Sequence, residues 1–418
     1  MLFLLVWKWL ETDIKSRGVE ILKTKPFKIE DCDKNKKIII YGASVYGELA
    51  YKGLKAAGIS PTFFCDQSNQ RDIYLGIKVI SPQQLGDYVN DNIIIASADF
   101  FFEIREKLES IGCKNLFDMR YLLKENLDIE SLSNRAQEMY ANRQHYIDIV
   151  SHQDENKIIF NRIQYVITEK CTLRCKDCSH LIPYYREPEN INIQKYKRAF
   201  NLLIEQIDYL AELRILGGEP FLSKDMEQLV LDYYMNPKIE QISVYTNGTV
   251  IPSDNVIKAL KKGKVKVHIS NYVINEEKIK QLTDILEKNE IKYFVRKYDA
   301  WQESGGVDYR GYTDEQLERK FGNCFERNGY TFLKGRLYRC PRVAHAINLK
   351  AIPDLSGDYI DLQNWNSGVE QLKMQINALQ NKQWLRGCNY CEGPDNHTQS
   401  IPAALQCRRN IPYTRIGE

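Results

Sequence analysis

The sequence lacks a basic block, a long hydrophobic run and a recognisable secretion signal. Its 58 Lys and Arg residues nearly balance 55 Asp and Glu residues, which leaves a formal net charge of +3. A nucleic-acid partner is therefore not expected. The apolar opening Met1–Trp7 is too short to span a bilayer, and no basic segment or small-residue cleavage site accompanies it. It is predicted to form a short amphipathic helix or an extra strand, and no membrane span is expected.

The composition is typical of a soluble globular protein with bound metal. Hydrophobic residues make up 43% and charged residues 27% of the 418 positions, enough chain for two or three domains with separate cores. Eleven cysteines, several of them clustered and without a secretion signal, favour metal ligation in a reducing compartment over disulfides. We therefore expect a cytoplasmic protein with metal-binding cysteines.

Three of these cysteines stand together without a fourth nearby. Cys171, Cys175 and Cys178 follow the apolar, strand-like run Ile163–Ile167. Thiolates select Zn, Cu(I) or iron–sulfur clusters, and a structural zinc site normally takes four protein ligands. Three cysteines favour a 4Fe–4S cubane in which one iron is left open for chemistry. A zinc knuckle with a distant fourth ligand is the alternative.

The pattern resembles the radical SAM superfamily, whose C-x3-C-x2-C motif follows the first barrel strand. The segment Gly217-Gly218-Glu219-Pro220 reproduces the family's GGEP, again directly after an apolar strand. The resemblance implies that the open iron chelates S-adenosylmethionine. Its reductive cleavage would yield a 5′-deoxyadenosyl radical that abstracts hydrogen from a substrate, with flavodoxin or ferredoxin as electron donor. A zinc- or cluster-binding structural or sensing protein is the non-enzymatic alternative.

Residues 158–300 are predicted to form a parallel sheet, because strand-like and helical patterns alternate there, and the resemblance implies that this is the radical SAM domain. The family would make it a partial (β/α)6 barrel. The strand-like runs are Ile163–Ile167, Leu213–Leu216, Ile242–Tyr245, Val265–Ile269 and Ile291–Val295, and the helical patterns are Ile193–Leu210, Asp225–Tyr234 and Glu276–Lys288. The motifs stand at the carboxyl ends of strands, where ligands bind in such folds.

The resemblance also suggests cofactor and substrate contacts. In the family the GGEP segment receives the methionine amine. Candidates for the methionine carboxylate and ribose hydroxyls end the next two strands, with ordinary strand-end capping as the alternative: Thr246, Asn247, Ser270 and Asn271. Asp177 replaces the aromatic residue that normally packs against adenine, so the adenine contacts are expected to differ. The catalytic candidates are Asp177, His180, Tyr184 and Cys407, beside Tyr185 as a possible substrate contact.

Residues 301–418 resemble a SPASM domain or its shortened twitch variant. Cys324 and Cys340, with Gly335 between them, match the opening of that pattern, and Cys388 and Cys391 form its C-x2-C. Further closely spaced cysteines are missing, so the resemblance implies one auxiliary 4Fe–4S cluster held by these four residues. Cys407 is a possible replacement ligand, and a zinc ribbon is the alternative.

Two features of this region concern substrate. The loop Trp301–Gly306 follows the last predicted barrel strand and is placed to cover an active site. Arg339 and Arg342 flank Cys340 and could hold an anionic substrate, but we favour a role in balancing cluster charge.

Residues 1–125 are predicted to form a Rossmann-like parallel-sheet domain, followed by a helical linker over residues 126–157. Strand-like runs at 38–41, 62–65, 77–80 and 93–96 alternate with helical patterns after Gly42, at Ser81–Val89 and at Asp99–Ile111. Three cysteines are expected to be small buried residues of this sheet: Cys32, Cys65 and Cys113.

The first turn, Gly42–Gly47, resembles the dinucleotide fingerprint, but Ser44 replaces the glycine that lets the backbone approach a pyrophosphate. Asp66 lies where a ribose-binding acid would stand. Dinucleotide binding, nucleotide-sugar binding and a structural role stay open. The region resembles the Rossmann-like modules of sugar-modifying enzymes in bacterial surface polysaccharide pathways.

These observations predict a radical SAM enzyme that oxidises or epimerises a small polar substrate. A sugar or nucleotide sugar is favoured because of the N-terminal resemblance. Oxidation requires a base, and epimerisation requires a hydrogen-atom donor, for which Cys407 is the candidate. The enzymatic alternative is a peptide-modifying enzyme, although no winged-helix-like module for a leader peptide is recognisable in the sequence.

Overall fold

The structure is a computed structural model that describes residues 25–28, 33, 35–67, 71–98, 100–124, 127–151, 157–395 and 398–417. The chain divides into two compact units, Met1–Gln153 and Asp154–Glu418. The predicted element at Met1–Trp7 and the predicted buried residue Cys32 lie outside the described residues. No helix of the described part is long and apolar enough to cross a membrane.

The first unit contains a seven-stranded sheet in the order β1-β7-β6-β2-β3-β5-β4. All neighbouring pairs are parallel except β4 with β5. The strands are β1 (Lys25–Pro26), β2 (Ile38–Tyr41), β3 (Phe63–Cys65), β4 (Ile73–Tyr74), β5 (Ile77–Ile80), β6 (Asn92–Ile95) and β7 (Asn115–Asp118). β2 consists of four buried residues because both faces of a parallel sheet are covered.

Helices connect the strands of this sheet as far as β7, and further helices follow β7 in the region that the sequence predicts as a helical linker. They span Val45–Ala56, Phe101–Ser110, Asn134–Ala141 and Gln144–Ser151, with short 3₁₀ helices at Pro82–Tyr88 and Ile129–Ser131. The predicted helix at Ser81–Val89 is thus a 3₁₀ helix. Cys65 and Cys113 are buried, as expected.

The second unit contains an eight-stranded sheet in the order β12-β11-β10-β9-β8-β14-β15-β16. Its strands are β8 (Ile159–Thr168), β9 (Tyr209–Gly217), β10 (Ile239–Thr246), β11 (Val265–Asn271), β12 (Tyr293–Lys297), β14 (Thr331–Leu333), β15 (Arg336–Tyr338) and β16 (Tyr359–Asp361). The first five are parallel in sequence order, and β14 adds to β8 in parallel on the other side. Among the described strands the edges β12 and β16 do not pair with each other, so this barrel-like sheet is open.

Five helices of the second unit pack their apolar sides on one face of this sheet: Ile193–Gln206, Met226–Tyr233, Asp254–Leu260, Glu276–Lys288 and Val369–Gln380. Tyr165, Phe200 and Phe332 meet in the centre of this core with ring centroids about 5 Å apart. The helix Glu276–Lys288 has the bounds that the sequence predicts.

A second apolar cluster covers the carboxyl ends of β8 and β9. It joins Val166 and Leu216 to Tyr184 and to Val343 of the helix Pro341–Asn348. The remaining elements of this part are the helix Asp314–Asn323, the 3₁₀ helices Ile182–Tyr184, Pro220–Leu222 and Arg386–Tyr390, and the strand pair β13 (Ala300–Gln302) with β17 (Ser400–Pro402). The C-terminal residues therefore pack where the strands of the parallel sheet end.

Candidate active site

The three cysteines of the first motif lie in the loop that follows β8. Burial is the main cause of the raised pKa values of these three thiols; Cys178 and Cys175 add to the pKa of Cys171, and Cys178 adds to that of Cys175. The pKa values of Cys171 and Cys175 reach about 12, and that of Cys178 is also raised. Three uncharged thiols packed this closely are a soft donor set that a cationic cluster would convert to thiolates. The donor set therefore fits a 4Fe–4S cluster.

The glycines of the second motif allow two backbone segments to touch. Gly218 N donates to Thr168 O at 2.9 Å, and Glu219 N donates to Lys170 O at 2.8 Å. A Cβ on Gly218 would overlap Lys170 O and lie 2.8 Å from the Cβ of Cys171. Glycine is required here because any side chain would push the cysteine loop away.

Glu219 organises the end of the next strand. Its carboxylate is fully buried and accepts hydrogen bonds from Thr246 Oγ1 at 2.8 Å, Asn247 N at 2.9 Å and Phe221 N at 3.2 Å. Burial raises the pKa of this carboxyl to about 7, although the three donors oppose the shift. Glu219 and Thr246 therefore form a support beneath the loop surface.

Asn247 connects this support to the cysteine loop. Its Nδ2 lies 3.5 Å from the Sγ of Cys171 and 3.2 Å from Thr172 Oγ1, while its Oδ1 accepts from Thr249 N at 2.9 Å. Asn271 instead accepts from Val273 N at 2.7 Å, which is the strand-end capping left open by the sequence. Ser270 lowers the pKa of Tyr272 through a side-chain hydrogen bond, although burial raises that pKa overall. Of the four candidates, Asn247 lies against the cysteine loop.

His180 supports the glycine segment rather than facing open space. It is buried, with Nδ1 2.9 Å from Gly217 O and Nε2 3.2 Å from Gln164 Oε1. Burial lowers its pKa to about 4, so the ring is neutral and Nδ1–H donates to the Gly217 carbonyl. His180 is a positioning residue for the segment that begins at Gly217.

The four C-terminal cysteines line one cavity. Its wall includes Cys324, Cys340, Cys388 and Cys391. Burial raises the pKa of Cys388 to about 12, and a neighbouring thiol adds to this. The donor set therefore fits an auxiliary cluster. Within the described residues no three His, Cys, Asp or Glu groups are arranged to hold a single metal ion, and a cubane binds one thiolate on each iron.

The same cavity reaches the first cysteine loop. Ser179, which directly follows Cys178, lies in its wall together with Ser304. Asp177 Oδ1 accepts from Ser304 N at 3.0 Å, and Ser304 O accepts from Glu392 N at 2.9 Å. Asp177 thus connects the first cysteine loop with the segment that carries Cys391. Its φ of 58° places it in the left-handed region, which Asp tolerates better than most residues.

The remaining catalytic candidates are Tyr184 and Cys407, with Tyr185 as the possible substrate contact. Tyr184 is buried, and its raised pKa is influenced by Arg342, Asp177 and Cys407. Cys407 does not line the four-cysteine cavity; its N–H donates to Arg174 O at 2.8 Å. Tyr185 donates or accepts at His345 Nδ1, 2.7 Å away, and packs beneath the site.

Two partners escaped sequence analysis, Ser304 and Gln406. Gln406 Nε2 donates to the Sγ of Cys175 at 3.2 Å, and Gln406 Oε1 accepts from Arg174 N at 2.8 Å. The C-terminal segment therefore runs along the first cysteine loop. Only the proximity of Cys407 in sequence could have drawn attention to Gln406.

The corresponding strand ends of the first unit are occupied by the chain itself. Asp66 Oδ2 accepts from Ala43 N at 2.8 Å, so the candidate ribose-binding acid bonds the turn that would receive a phosphate. Tyr146 donates to Ile95 O at 2.6 Å and accepts from Met119 N at 3.1 Å. These contacts favour the structural alternative for this domain over tight dinucleotide binding.

Comparisons with known proteins agree with this geometry. Residues 165–318 match the model of the Radical SAM superfamily, and residues 34–116 match the model described as C2185-like, N-terminal. The GTP 3',8-cyclase of Aliarcobacter butzleri is 32% identical over 129 residues, which cover 29% of this chain and 38% of that protein. The probable GTP 3',8-cyclase of Archaeoglobus fulgidus is 30% identical over 135 residues, 31% of this chain and 42% of that protein. The chain thus matches about two fifths of the length of these relatives.

Solved structures give weaker similarities. Native anSMEcpe with bound AdoMet has 12% identity and a TM-score of 0.36, covering 56% of this chain and 88% of that chain. BtrN in complex with AdoMet and 2-DOIA has 15% identity and a TM-score of 0.34, covering 56% and 93%. Streptococcus suis SuiB bound to S-adenosylmethionine has 18% identity and a TM-score of 0.25, covering 49% and 52%.

Proposed function

We propose, from the premise that residues 165–318 are a radical SAM domain, that this enzyme carries a second, auxiliary 4Fe–4S cluster and acts on a small polar substrate between the two. The observation that carries the proposal is the shared cavity. Its wall holds the four C-terminal thiols and also Ser179, the residue after Cys178. A molecule bound at the Ser179 end of this cavity, beside the cluster that the four thiols would hold, would touch the surroundings of both cysteine groups.

The residues assigned to the first cluster are Cys171, Cys175 and Cys178, and those assigned to the second are Cys324, Cys340, Cys388 and Cys391. When bound, the first cluster and S-adenosylmethionine supply a 5′-deoxyadenosyl radical that removes hydrogen from a substrate C–H bond. The segment Gly217–Pro220 and Asn247 hold the cofactor side of the site, because they pack directly on the Cys171 loop. Glu219, Thr246 and His180 fix that surface from beneath.

For the substrate we favour a sugar or nucleotide sugar of surface polysaccharide synthesis, which is oxidised or epimerised. The ground for this preference is the resemblance of the N-terminal region to modules of sugar-modifying enzymes, because the accessible wall of the cavity itself is almost entirely apolar. Cys407 supports epimerisation as the second outcome, because its N–H donates to Arg174 O at 2.8 Å and the residue therefore lies beside the first cysteine loop. A peptide substrate is the alternative class.

The relatives named GTP 3',8-cyclase add a purine nucleoside triphosphate to the substrates worth testing. The similarity to these relatives covers 29% and 31% of this chain. It therefore supports the radical chemistry more strongly than it supports any particular substrate.

Anaerobic reconstitution tests the proposal. We expect about eight irons per chain, four for each cubane, and 5′-deoxyadenosine that forms only with reductant. The variant with Cys171, Cys175 and Cys178 replaced by Ala should retain about four irons and form none of this product. The variant with the four C-terminal cysteines replaced should retain about four irons and still cleave S-adenosylmethionine.

Zinc in place of iron, or a four-iron wild-type protein, would overturn the auxiliary cluster. The reconstituted enzyme is then incubated with deuterated nucleotide sugars, GTP and short peptides in turn. The correct substrate class is the one whose deuterium appears in 5′-deoxyadenosine.

A further inference from the structure

Two arginines flank Cys340, and the structure separates their roles. Arg339 is saturated by backbone carbonyls: Nη1 donates to Leu379 O at 2.9 Å and to Lys382 O at 2.6 Å, and Nε donates to Arg327 O at 3.2 Å. It also lowers the pKa of Cys388, which burial raises. Arg339 therefore holds the chain together and balances charge beside the auxiliary cysteines.

Arg342 is only partly satisfied. Its Nη2 donates to the carbonyl oxygens of Gly305 and Gly306, which fixes the side chain against the loop that follows β13. Its Nε and Nη1 are buried and have no hydrogen-bond partner among the described residues, while the residue as a whole is 6% exposed. Unpaired N–H groups of a buried guanidinium raise the free energy of the folded protein. A ligand that accepts hydrogen bonds from them therefore binds with a more favourable free energy.

The guanidinium of Arg342 faces the space beside the first cysteine loop. Arg342 lines the cavity together with Ser179. It lowers the pKa values of Cys178 and Tyr184, which burial raises. This position differs from that of Arg339, and for Arg342 it favours the anionic-substrate alternative that the sequence left open.

Asp177 carries the opposite charge and bonds the same loop as Arg342. Its Oδ1 accepts from Ser304 N at 3.0 Å, next to Gly305, whose carbonyl accepts from Arg342 Nη2. Its Oδ2 is buried without a hydrogen-bond partner among the described residues. No ion pair joins Asp177 to Arg342 in the described part of the chain, so each side chain has an unused hydrogen-bonding atom beside residues 304–306.

We propose that Arg342 binds an anionic group of the substrate, a carboxylate or a phosphate, and that Asp177 accepts a hydrogen bond from a hydroxyl or ammonium group of the same molecule. Arginine suits the first role because its fork of N–H donors matches the two oxygens of either anion. The inference rests on the proposed function, because it assigns the substrate to the space beside both cysteine groups. It narrows the substrate class to acidic metabolites that also carry a hydrogen-bond donor.

Anion binding to the reconstituted full-length enzyme tests the role of Arg342. The probes are inorganic phosphate and acetate, observed by the paramagnetic broadening of their ³¹P and ¹H signals after reduction of the clusters. We expect saturable broadening of at least one probe in the wild type and a Kd weakened by about tenfold or more in Arg342→Gln. Arg342→Lys should fall between them because it keeps the charge but loses the fork. The probe with the lower Kd identifies the preferred anion.

Lys320→Gln is the matched control. Lys320 lies in the wall of the same cavity, but its Nζ already donates to Glu392 O at 2.7 Å and pairs with the Glu392 carboxylate at 3.8 Å. Removing this positive charge should leave anion binding unchanged within about twofold.

Phosphoethanolamine tests the role of Asp177, because it adds an ammonium group to the phosphate. We expect it to bind more tightly than phosphate to the wild type, and expect Asp177→Asn to abolish that advantage while leaving phosphate binding as strong or stronger.

Three results would overturn the proposal: no saturable broadening in the wild type, unchanged binding in Arg342→Gln, or loss of about four irons in both Arg342 variants, which would assign Arg342 to the auxiliary cluster. The iron content and 5′-deoxyadenosine yield of the wild type report separately on the proposed function.

Discussion

The two units place their parallel strands in the same manner but use the strand ends differently. In the first unit, Asp66 and Tyr146 bond the backbone at the ends of the strands, so the edge is completed by the chain. In the second unit, the loops after β8 and β9 press against each other and leave thiols and a cavity nearby. A parallel sheet offers a ligand site at its carboxyl edge, and whether the site is used depends on what fills it.

The two units differ in what their buried carboxylates support. Glu219 in the second unit, like Asp66 in the first, accepts from backbone N–H groups. Glu219, however, holds Asn247 of the loop after β10, and Asn247 in turn contacts Cys171 of the loop after β8. In the first unit, these hydrogen bonds therefore fill the strand ends. In the second unit, they support the loops of the candidate active site.

The largest effect is expected from adding one methyl group at the strand ends of the second unit. Gly218→Ala would place a Cβ on top of Lys170 O and 2.8 Å from the Cβ of Cys171, so the cysteine loop must move. We expect a destabilisation of this region by about 3 kcal/mol or more and loss of most 5′-deoxyadenosine formation. Gly263→Ala is the control, because no atom lies within 4 Å of its added Cβ. Equal activity of the two variants would contradict the steric account.

A somewhat smaller effect is expected from the pH-dependent contribution of His268 to the stability of the second unit. His268 stacks between Tyr245 and Phe294, with ring centroids 4.6 Å and 5.3 Å away, and burial lowers its pKa to about 4. The unfolded chain, with a histidine pKa near 6.5, then binds more protons than the folded chain. Stability is therefore complete above pH 6.5 and is lost as the pH falls toward 4.

Between pH 7 and pH 5 the wild type should lose about 2 kcal/mol through this group, whereas His268→Phe should not. The measurement is urea unfolding of the second unit at both pH values, followed by hydrogen exchange of a peptide from β11. A variant with the same pH dependence as the wild type would show that the imidazole is not the cause.

The smallest expected effect tests the closed edge. Tyr146→Phe leaves Ile95 O and Met119 N without their buried partner, at a cost of about 1–2 kcal/mol. Hydrogen exchange in peptides from residues 92–119 should accelerate, while cleavage of S-adenosylmethionine stays unchanged. Tyr121→Phe, at an exposed ring, is the control. If NAD bound to the wild type and Tyr146→Phe weakened that binding, the closed-edge description would be wrong.

Local pattern in the sequence predicted much of the fold. The run Ile38–Tyr41 and the helix Glu276–Lys288 have the bounds that hydrophobic periodicity indicated. Two elements were harder. Pro82–Tyr88 is a 3₁₀ helix because proline and glycine weaken a regular helix. β14 joins β8 from more than 160 residues away, as in the pair Phe332 with Tyr165, and no local period specifies that pairing.

The candidate site was predicted unevenly for the same reason. Spacing marked the cysteines and the glycines, since both motifs are contiguous. The partners Ser304 and Gln406 were missed as such, because they meet the cysteine loop from 127 and 231 residues away in the chain.

By itself the sequence determined the chemistry: three thiols without a fourth, glycines where two loops must touch, and four further thiols at separate places in the C-terminal region. Only the tertiary structure decided which groups share a space. It placed Cys324, Cys340, Cys388 and Cys391 around one cavity with Ser179, and it turned Arg339 toward carbonyls while leaving two N–H groups of Arg342 unpaired. The physical reason is that residue type and spacing are local properties, whereas the partner of a buried polar group is set by packing between distant segments.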